Sequence, residues 1–431
     1  PDPSVARDGR ARRVGARRFG RLPAVVPEGR RAPARLDAAR PIDMTTRTRH
    51  PAPGRLYVAV NNGGLGGGEL MALEVAREAR RHGIPCAVVA PARPPEVLAA
   101  ATAEGMPCVR IPAAGRRGYL LRLAWWRATH REGLLWCAGL VPAVAAVGDR
   151  RKVVHLHKLP EGWAQRVLTR LARVGARLTL VPSDFLARHV PGAEVLPNWT
   201  LGPDPADPAE SADPADPAAL AGLAPQRPVD RPPTIGYLGR LTTAKGVLDL
   251  LVAVARLADS SRPDVRLVVA GEPLYGRDAD EVCRALDAAG DRVERLGRVA
   301  APADLFARID LLVVPSRAPE SFGLVVAEAL AASMPVVVTD AGALPEILPE
   351  ILPEILPEIL PPGRGFVARA GDPSDLAATI DRALTDLADP LARTALTTAG
   401  RRRWETSYAA AIGRGRLCGI LSRLGWGSES V

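Results

Sequence analysis

The segment from Gly239 to Gly246 places two permanent cations, Arg240 and Lys245, in one short glycine-bounded loop. It follows an apolar run, Thr234 to Leu238, that is typical of a buried strand. Arginine binds phosphate oxygens through paired hydrogen bonds, and lysine acts as a compact charge. The loop therefore predicts a diphosphate site. The alternative, a basic surface loop at a helix start, is less favoured because the helix dipole disfavours cations there unless an anion is bound.

A second segment, Pro319 to Leu330, places two carboxylates at the start of a predicted helix. It follows the apolar run Leu311 to Val314, so it lies at the carboxyl end of a predicted parallel strand, where open α/β sheets bind ligands. Glu320 precedes the helix, and Glu328 lies about 12 Å further along it. Two acids at that separation could bind two hydroxyl-bearing parts of one elongated ligand. The alternative is an ordinary helix-start acid and a solvated face residue.

The elements that must position these loops form two series of strands and helices. Leu56 to Val60, a glycine loop over 63–68, a helix over 69–82 and a strand over 86–90 make a βαβ unit, which predicts a parallel sheet. The other predicted strands cover 153–157, 178–181, 234–238, 265–270, 293–296, 311–314 and 335–338. We predict an α/β fold class with two doubly wound, Rossmann-like domains.

Composition suggests where these domains begin and end. We expect a disordered, basic, Pro-rich tail over 1–50, an N-terminal domain over 51–200, an acidic, Pro-rich linker over 201–233, a C-terminal domain over 234–400 and a C-terminal crossover segment over 401–431, helical over 401–424. Four copies of Pro-Glu-Ile-Leu fill 345–360. Proline at every fourth residue forbids a continuous helix, so this repeat predicts a surface loop.

The net charge of +10 favours an anionic ligand or an acidic membrane surface. No aromatic-rich nucleic-acid motif accompanies it, so nucleic acid is not expected as a partner. The cysteines are scattered without metal-ligand spacing, which argues against structural zinc. No apolar run reaches the roughly 20 residues that span a bilayer, and no leader is recognised. These features together predict a cytoplasmic protein.

Several motifs together resemble the retaining glycosyltransferases of family 4, which have the GT-B fold. The C-terminal half carries Gly-Arg-x4-Lys-Gly over 239–246, Pro-Glu-Ser-Phe-Gly-x4-Glu-Ala over 319–329 and Gly-Ala-Leu-Pro-Glu over 342–346. The N-terminal half carries Gly-Gly-Gly-Glu over 66–69, Val-Pro-Ser over 181–183 and Leu-Pro-Asn over 196–198. The resemblance covers residues 55–425 and implies a C-terminal helix that crosses back to the N-terminal domain.

The resemblance implies a nucleotide-sugar donor, a UDP- or GDP-sugar, with no other cofactor. Arg240 and Lys245 would hold the diphosphate and stabilise the leaving group. Glu328 would bind the ribose hydroxyls. The donor sugar would be bound by a longer set: Glu320 with the backbone of Ser321, Phe322, Gly323 and Leu324.

Further roles follow from the same resemblance. Gly66 and Gly67 would let the N-terminal loop approach the phosphates and the acceptor, and Val299 would contact the base. His157 resembles the family histidine beside the donor sugar, although Lys158 replaces its usual acidic neighbour. No metal is expected, because the Asp-x-Asp motif over 278–280 opens a helix and is interpreted as a surface acid pair.

The implied reaction is hexosyl transfer with retention to a carbohydrate, glycolipid or small-molecule acceptor, as in the synthesis of cell-envelope polysaccharides or glycolipids. A dinucleotide-dependent oxidoreductase is disfavoured because Glu69 stands where its fingerprint needs a third glycine. A catalytically degenerate homologue that binds sugar nucleotides or acts as a scaffold stays open. So does peripheral membrane contact: Arg116 to Arg127 could form an interfacial helix or a half-buried domain helix.

Overall fold

The computed structural model describes residues 54–202, 231–273, 277–351 and 363–426. The predicted tail, nearly all of the predicted linker and most of the repeat lie outside these ranges. Two parallel sheets organise the described chain, as their order and pairing show. Within this part of the chain, no helix combines the length and apolarity needed to cross a bilayer.

The first sheet has seven parallel strands in the order β3-β2-β1-β4-β5-β6-β7. The strands are β1 (Leu56–Val60), β2 (Cys86–Pro91), β3 (Cys108–Ile111), β4 (Leu134–Ala138), β5 (Lys152–His155), β6 (Leu178–Val181) and β7 (Glu194–Val195). The helices that connect them are α1 (Gly67–Arg81), α2 (Glu96–Ala103), α3 (Gly115–Thr129), α4 (Leu140–Ala145), α5 (Gly162–Ala172) and α6 (Asp184–His189). The inner strands are wholly buried because helices cover both faces of the sheet.

The second sheet has six parallel strands in the order β10-β9-β8-β11-β12-β15. The strands are β8 (Thr234–Leu238), β9 (Arg266–Ala270), β10 (Val293–Gly297), β11 (Leu311–Val314), β12 (Val336–Thr339) and β15 (Phe366–Ala368). Its connecting helices are α7 (Val247–Asp259), α8 (Arg277–Ala288), α9 (Pro302–Phe306), α10 (Leu324–Ala331), α11 (Leu344–Ile347) and α12 (Pro373–Asp386). A separate antiparallel pair joins β13 (Glu350–Ile351) to β14 (Gly363–Arg364).

The C-terminal segment differs from the single helix predicted over 401–424. It consists of the end of α13 (Pro390–Ser407) and the whole of α14 (Ala410–Arg423). The two helices are separated at Tyr408, whose carbonyl accepts a hydrogen bond from the Thr200 N–H at 3.0 Å. From there α14 packs into the core of the first sheet through Leu417 and Leu421. The expected return of the chain to the N-terminal domain is therefore confirmed.

The predicted strands are present in both sheets, with bounds shifted by one or two residues. β5 ends at His155, so His157 lies in the loop beyond the strand rather than at its last position. β3, β4, β15 and the two-residue strands β7, β13 and β14 were not predicted from the sequence. The apolar run over 134–147 contains both β4 and α4.

Candidate functional site

The predicted phosphate loop follows β8, and two side chains form hydrogen bonds with its backbone. The Tyr237 hydroxyl donates to the Arg240 carbonyl at 2.6 Å, and the Thr243 N–H donates to the Asp278 carboxylate at 3.0 Å. Gly246 has a φ of +73°, and a Cβ there would lie 1.7 Å from the Pro315 carbonyl oxygen, so only glycine fits. Asp278 is therefore a support for this loop as well as a helix-start acid.

The predicted acid loop follows β11 and lies against the phosphate loop. The Lys245 ammonium forms an ion pair with the Glu320 carboxylate, which also accepts a hydrogen bond from the Ser316 hydroxyl at 2.7 Å. The Glu320 backbone pairs with the segment around Gly342, where a Cβ would lie 2.4 Å from the Glu320 carbonyl oxygen. The structure thus brings the two loops singled out from sequence together through Lys245 and Glu320.

Gly67 and Gly68, predicted as part of a glycine loop, form the first residues of α1 and lie between groups from both domains. A Cβ on Gly67 would be 2.9 Å from Cδ1 of Leu324, at the start of α10. A Cβ on Gly68 would be 3.1 Å from the His157 side chain. The absence of side chains here allows the N-terminal loop to approach α10, so the predicted glycine, histidine and α10 residues meet in one place.

Ser321 connects the two domains beside Glu320. Its hydroxyl donates to the His157 carbonyl at 2.5 Å, and its carbonyl accepts from the Ser183 hydroxyl at 2.8 Å. Ser183 also caps α6 by accepting a hydrogen bond from the Leu186 N–H. Sequence analysis did not include Ser183 or Ser316 among the site residues. Both directly follow the carboxyl ends of parallel strands, which is the signal that could have identified them.

His157 lies in this interface as a neutral base. Both ring nitrogens are buried and have no hydrogen-bond partner among the described residues. Burial lowers the pKa of His157 to about 4. The His155 ring lies 4.0 Å away, and its pKa is also lowered, by burial first and by His157 second. A neutral imidazole with unpaired nitrogens can hydrogen-bond a substrate hydroxyl.

Glu69 adds a buried carboxylate that the sequence analysis did not place in the site. The Asn62 side-chain amide donates to it at 2.9 Å. Burial raises the pKa of Glu69, and its own N–H, Lys158 and Arg240 oppose that rise in decreasing order. Lys158 comes from the first domain and Arg240 from the second, so cations of both domains act on this carboxylate.

The remaining predicted residues lie on or near α10. Glu328 is half-buried one turn after Leu324, burial raises its pKa, and no described residue forms a hydrogen bond with its carboxylate. Val299 and Leu324 pack against the same apolar cluster. No hydrogen bond or ion pair joins Glu328 to Arg240 or Lys245 within the described residues. The residue predicted to bind the ribose and the residues predicted to bind the diphosphate are therefore positioned by the fold, without a direct contact between them.

Phe322 and Gly323 serve the protein interior. The Phe322 ring is buried and lies edge-on to the Tyr408 ring, with centroids 5.5 Å apart. Gly323 has a φ of +137°, and a Cβ there would be 2.7 Å from Leu344 Cδ2. These contacts fix the backbone at the start of α10, so Phe322 and Gly323 have only their main-chain groups available for ligand binding.

The first copy of the repeat also joins the domains. Glu346 forms an ion pair with Arg188 of α6 at 2.8 Å, and its carbonyl accepts from Arg403 at 2.9 Å. The loop predicted for the repeat over 345–360 begins instead as the short helix α11. Its other copies lie largely outside the described residues.

Two doubly wound domains that meet at the carboxyl ends of their strands, with a C-terminal helix returning to the first domain, define the GT-B fold of glycosyltransferases. Residues 232–386 match the family model described as glycosyl transferases group 1. The match covers the second domain, including both loops of the candidate site.

Solved structures show the same fold over most of the chain. The Anabaena protein HepE in complex with UDP superposes with a TM-score of 0.64 at 22% identity, over 86% of this chain and 99% of that one. WaaG, a glycosyltransferase involved in lipopolysaccharide biosynthesis, superposes with a TM-score of 0.58 at 15% identity, over 85% and 99%. At these identities the likeness establishes the fold.

Curated relatives match in sequence over shorter stretches. The GDP-mannose-dependent monoacylated alpha-(1-6)-phosphatidylinositol monomannoside mannosyltransferase of Corynebacterium glutamicum is 28% identical over 200 residues, 44% of this chain and 48% of the relative. D-inositol 3-phosphate glycosyltransferase of Corynebacterium jeikeium is 31% identical over 189 residues, 42% of each chain. The chain thus spans less than half the length of these relatives.

Proposed function

We propose that this protein is a glycosyltransferase that moves a hexosyl group from a nucleotide-diphosphate sugar to an acceptor hydroxyl, with retention at the anomeric carbon and without a metal ion. The observation that carries the proposal is the ion pair between Lys245 and Glu320, which joins the predicted diphosphate loop to the predicted sugar loop. The family match over 232–386 and the UDP bound to HepE support the same assignment.

Arg240 and Lys245 would bind the diphosphate oxygens in this reaction. Arg240 is exposed, and no described residue accepts a hydrogen bond from its side chain, so its guanidinium is available to an anion. Lys245 would exchange part of its pairing with Glu320 for a phosphate oxygen. Two fixed cations at the leaving group stabilise the negative charge that develops as the glycosidic bond breaks.

Glu320 and His157 would orient the donor sugar. A carboxylate accepts hydrogen bonds from sugar hydroxyls, and Glu320 would accept them once Lys245 turns toward phosphate. His157 is neutral, so one ring nitrogen can accept and the other can donate. Glu328 would accept hydrogen bonds from the ribose hydroxyls, which would give its half-buried carboxylate the partners that it lacks among the described residues.

The transfer step would need no base from the protein. The acceptor oxygen bonds to the anomeric carbon on the face from which the diphosphate departs. The bond from that carbon to the β-phosphate oxygen breaks, and the hydroxyl proton passes to that oxygen. Attack on the departing face retains the configuration. The acceptor would be a carbohydrate, a glycolipid or a small hydroxylated molecule, approached through Gly66 and Gly67.

A donor screen tests this function. UDP- and GDP-sugars are incubated with the full chain and candidate acceptors, with and without EDTA, and release of the nucleoside diphosphate is measured for the parent and for Lys245→Ala. We expect release from one donor class, unchanged by EDTA and abolished by the substitution. NMR of the product gives its anomeric configuration, and inversion would contradict retention. Donor binding without release over a panel of sugar, glycolipid and inositol acceptors would favour the degenerate, scaffold alternative.

A further inference from the structure

Helix α5 exposes most of its surface although it is rich in apolar residues. Trp163 is 80% exposed, and Val167, Leu171 and Val174 are also exposed. Spacings of four residues place Trp163, Val167 and Leu171 in one stripe along α5, and Val174 follows just after the helix ends at Ala172. Only Thr169 and Ala172 of α5 are buried. An isolated exposed tryptophan needs no explanation, but a continuous apolar stripe indicates a binding surface.

An arginine stripe lies beside the apolar one. Arg166 and Arg170 form it on α5, four residues apart, and Arg173 and Arg177 follow in the segment after the helix. Neither α5 nor α3 contains Asp or Glu. The charged residues of these two helices are therefore all positive, which favours a negative partner, and arginine can cover apolar surface while its head contacts an anion.

Helix α3 extends the same surface. α4 packs between α3 and α5, and all three helices contribute to one core cluster through Leu123, Val141 and Ala172. Their outer sides therefore point away from the same face of the sheet. On α3 the exposed apolar residues are Leu121 and Trp125, at 67% and 56% exposure. Three exposed arginines accompany them, namely Arg116, Arg117 and Arg122.

A cleft of about 480 Å³ opens at the end of the α5 arginine stripe. Arg170, Arg173 and Arg177 line it, together with Glu194, which is paired with Arg423 at 2.7 Å. Arg173 is held by Thr179, whereas no described residue accepts a hydrogen bond from the Arg170 side chain. An anionic headgroup in this cleft would lie directly beside the apolar stripe.

We propose that the outer faces of α5 and α3 bind the surface of an anionic phospholipid bilayer. Apolar side chains with tryptophan insert at the boundary between headgroups and acyl chains, while arginines contact lipid phosphates, as in interfacial amphipathic helices. From the sequence, only the segment over 116–127 was predicted as a possible interfacial helix. The structure assigns the larger part of the surface to α5.

Membrane binding would also place the candidate site at the lipid surface. α5 begins five residues after His157, so Trp163 lies within about 20 Å of it along even a fully extended chain. This consequence rests on the proposed function, whereas the binding itself does not.

Sedimentation of the full chain with vesicles tests the proposal. Vesicles of phosphatidylcholine alone are compared with vesicles of equal parts phosphatidylcholine and phosphatidylglycerol. We expect binding to the anionic vesicles only. Trp163→Ser with Leu171→Ser should abolish it. Arg166→Gln with Arg170→Gln should weaken it about twenty-five-fold, since each arginine near such a surface contributes about fivefold.

Matched controls replace exposed residues of the second domain. Leu391→Ser with Val252→Ser removes similar apolar surface, and Arg266→Gln with Arg292→Gln removes equal charge. Both controls should bind as the parent does, and thermal unfolding should be unchanged in every variant because these side chains are exposed. Equal binding to neutral vesicles, or full binding by the α5 variants, would overturn the proposal. Self-association that Trp163→Ser removes, without vesicle binding, would show that a second copy covers this face instead.

Discussion

The hydroxyl of Ser321 donates to the His157 carbonyl at 2.5 Å, although 164 positions separate the two residues in the chain. Ser321 follows Glu320, which is paired with Lys245, and His157 follows the strand β5 of the other sheet. The Ser321 side chain is thus one of the contacts that hold the two domains together at the candidate site. A small displacement of Ser321 should therefore also move the neighbouring carboxylate of Glu320, which is expected to bind the donor sugar.

Removing the hydroxyls of the domain contact should lower stability to different extents. Ser321→Ala loses one hydrogen bond, which costs about 1 kcal/mol. Ser183→Ala loses both its bond to Ser321 and the cap of α6, so we expect about 2 kcal/mol. Calorimetric unfolding measures both changes. The exposed Ser422→Ala is the control, and a Ser183 variant no less stable than that control would argue against this contact.

Lys245→Ala should weaken UDP or GDP binding by about tenfold to a hundredfold, the range for a lost charge-assisted hydrogen bond. Stability should change by less than about 1 kcal/mol, because the Lys245 and Glu320 side chains are 38% and 20% exposed and exposed ion pairs contribute little. Isothermal titration with each nucleotide gives the affinity, with Arg266→Gln as the charge control. Equal affinity in the parent and Lys245→Ala proteins would refute the diphosphate assignment.

Glu328→Gln should stabilise the free protein while it weakens donor binding. Burial raises the pKa of Glu328, so the native state prefers the protonated form, and this preference is lost as the pH rises through the folded pKa. At pH 7 the ionised carboxylate of the parent destabilises the native state, and the neutral amide does not. We therefore expect a melting temperature higher by a few degrees. Donor affinity should fall, since glutamine is a weaker acceptor for ribose hydroxyls. Tighter donor binding by the variant would contradict the ribose role.

His157 should make stability depend on pH below neutrality. Its pKa is lowered from 6.5 to about 4, so the unfolded chain binds the extra proton first as the pH falls. The contribution of neutral His157 to the free energy of unfolding is complete above about pH 6.5. It is lost between about pH 6.5 and about pH 4, by about 1.4 kcal/mol per pH unit. Urea unfolding of the parent and of His157→Gln at pH 7 and pH 5 measures it. The raised pKa values of Glu69 and Glu328 increase the free energy of unfolding as the pH falls, and they do so in both proteins. The difference in free energy of unfolding between the parent and His157→Gln should therefore be smaller at pH 5 than at pH 7. An equal difference at both pH values would exclude a buried neutral histidine.

Gly67→Ala should reduce turnover more than it reduces stability. The added Cβ would lie 2.9 Å from Leu324 Cδ1, so either the Leu324 side chain or the start of α1 must shift at the site. We expect a fall in kcat/KM of about tenfold or more, since small displacements at a site carry large costs. Gly415→Ala is the control, because its Cβ meets nothing within 4 Å and alanine favours its helix. Parent-like kinetics for Gly67→Ala would place this loop outside the site.

Much of the fold was predictable because it is encoded locally. Apolar runs gave the positions of β1, β8 and β11, and glycine loops gave the strand ends where ligands bind. The cations and acids of the two C-terminal loops were identified in the same way. β3 and β15 were missed because they are short runs of three or four residues, whose pattern alone does not separate them from loops.

Other features depended on contacts between segments far apart in sequence. The break at Tyr408 divides a segment whose helical pattern is continuous, and its carbonyl instead pairs with Thr200. Glu69 could not be placed near Arg240 from sequence, because one lies in each domain. The exposed face of α5 was equally hidden, since an amphipathic pattern cannot show which of its faces a neighbour covers.

The sequence by itself determined the two doubly wound domains and the residue types of the candidate site, because strand periodicity and loop chemistry act over short distances. Tertiary structure alone decided that Lys245 pairs with Glu320, that Ser183 and Ser321 join the domains, and that α5 faces outward. These outcomes depend on how two separate sheets approach each other, and the energies that set this approach come from contacts between residues with no local signal of their pairing.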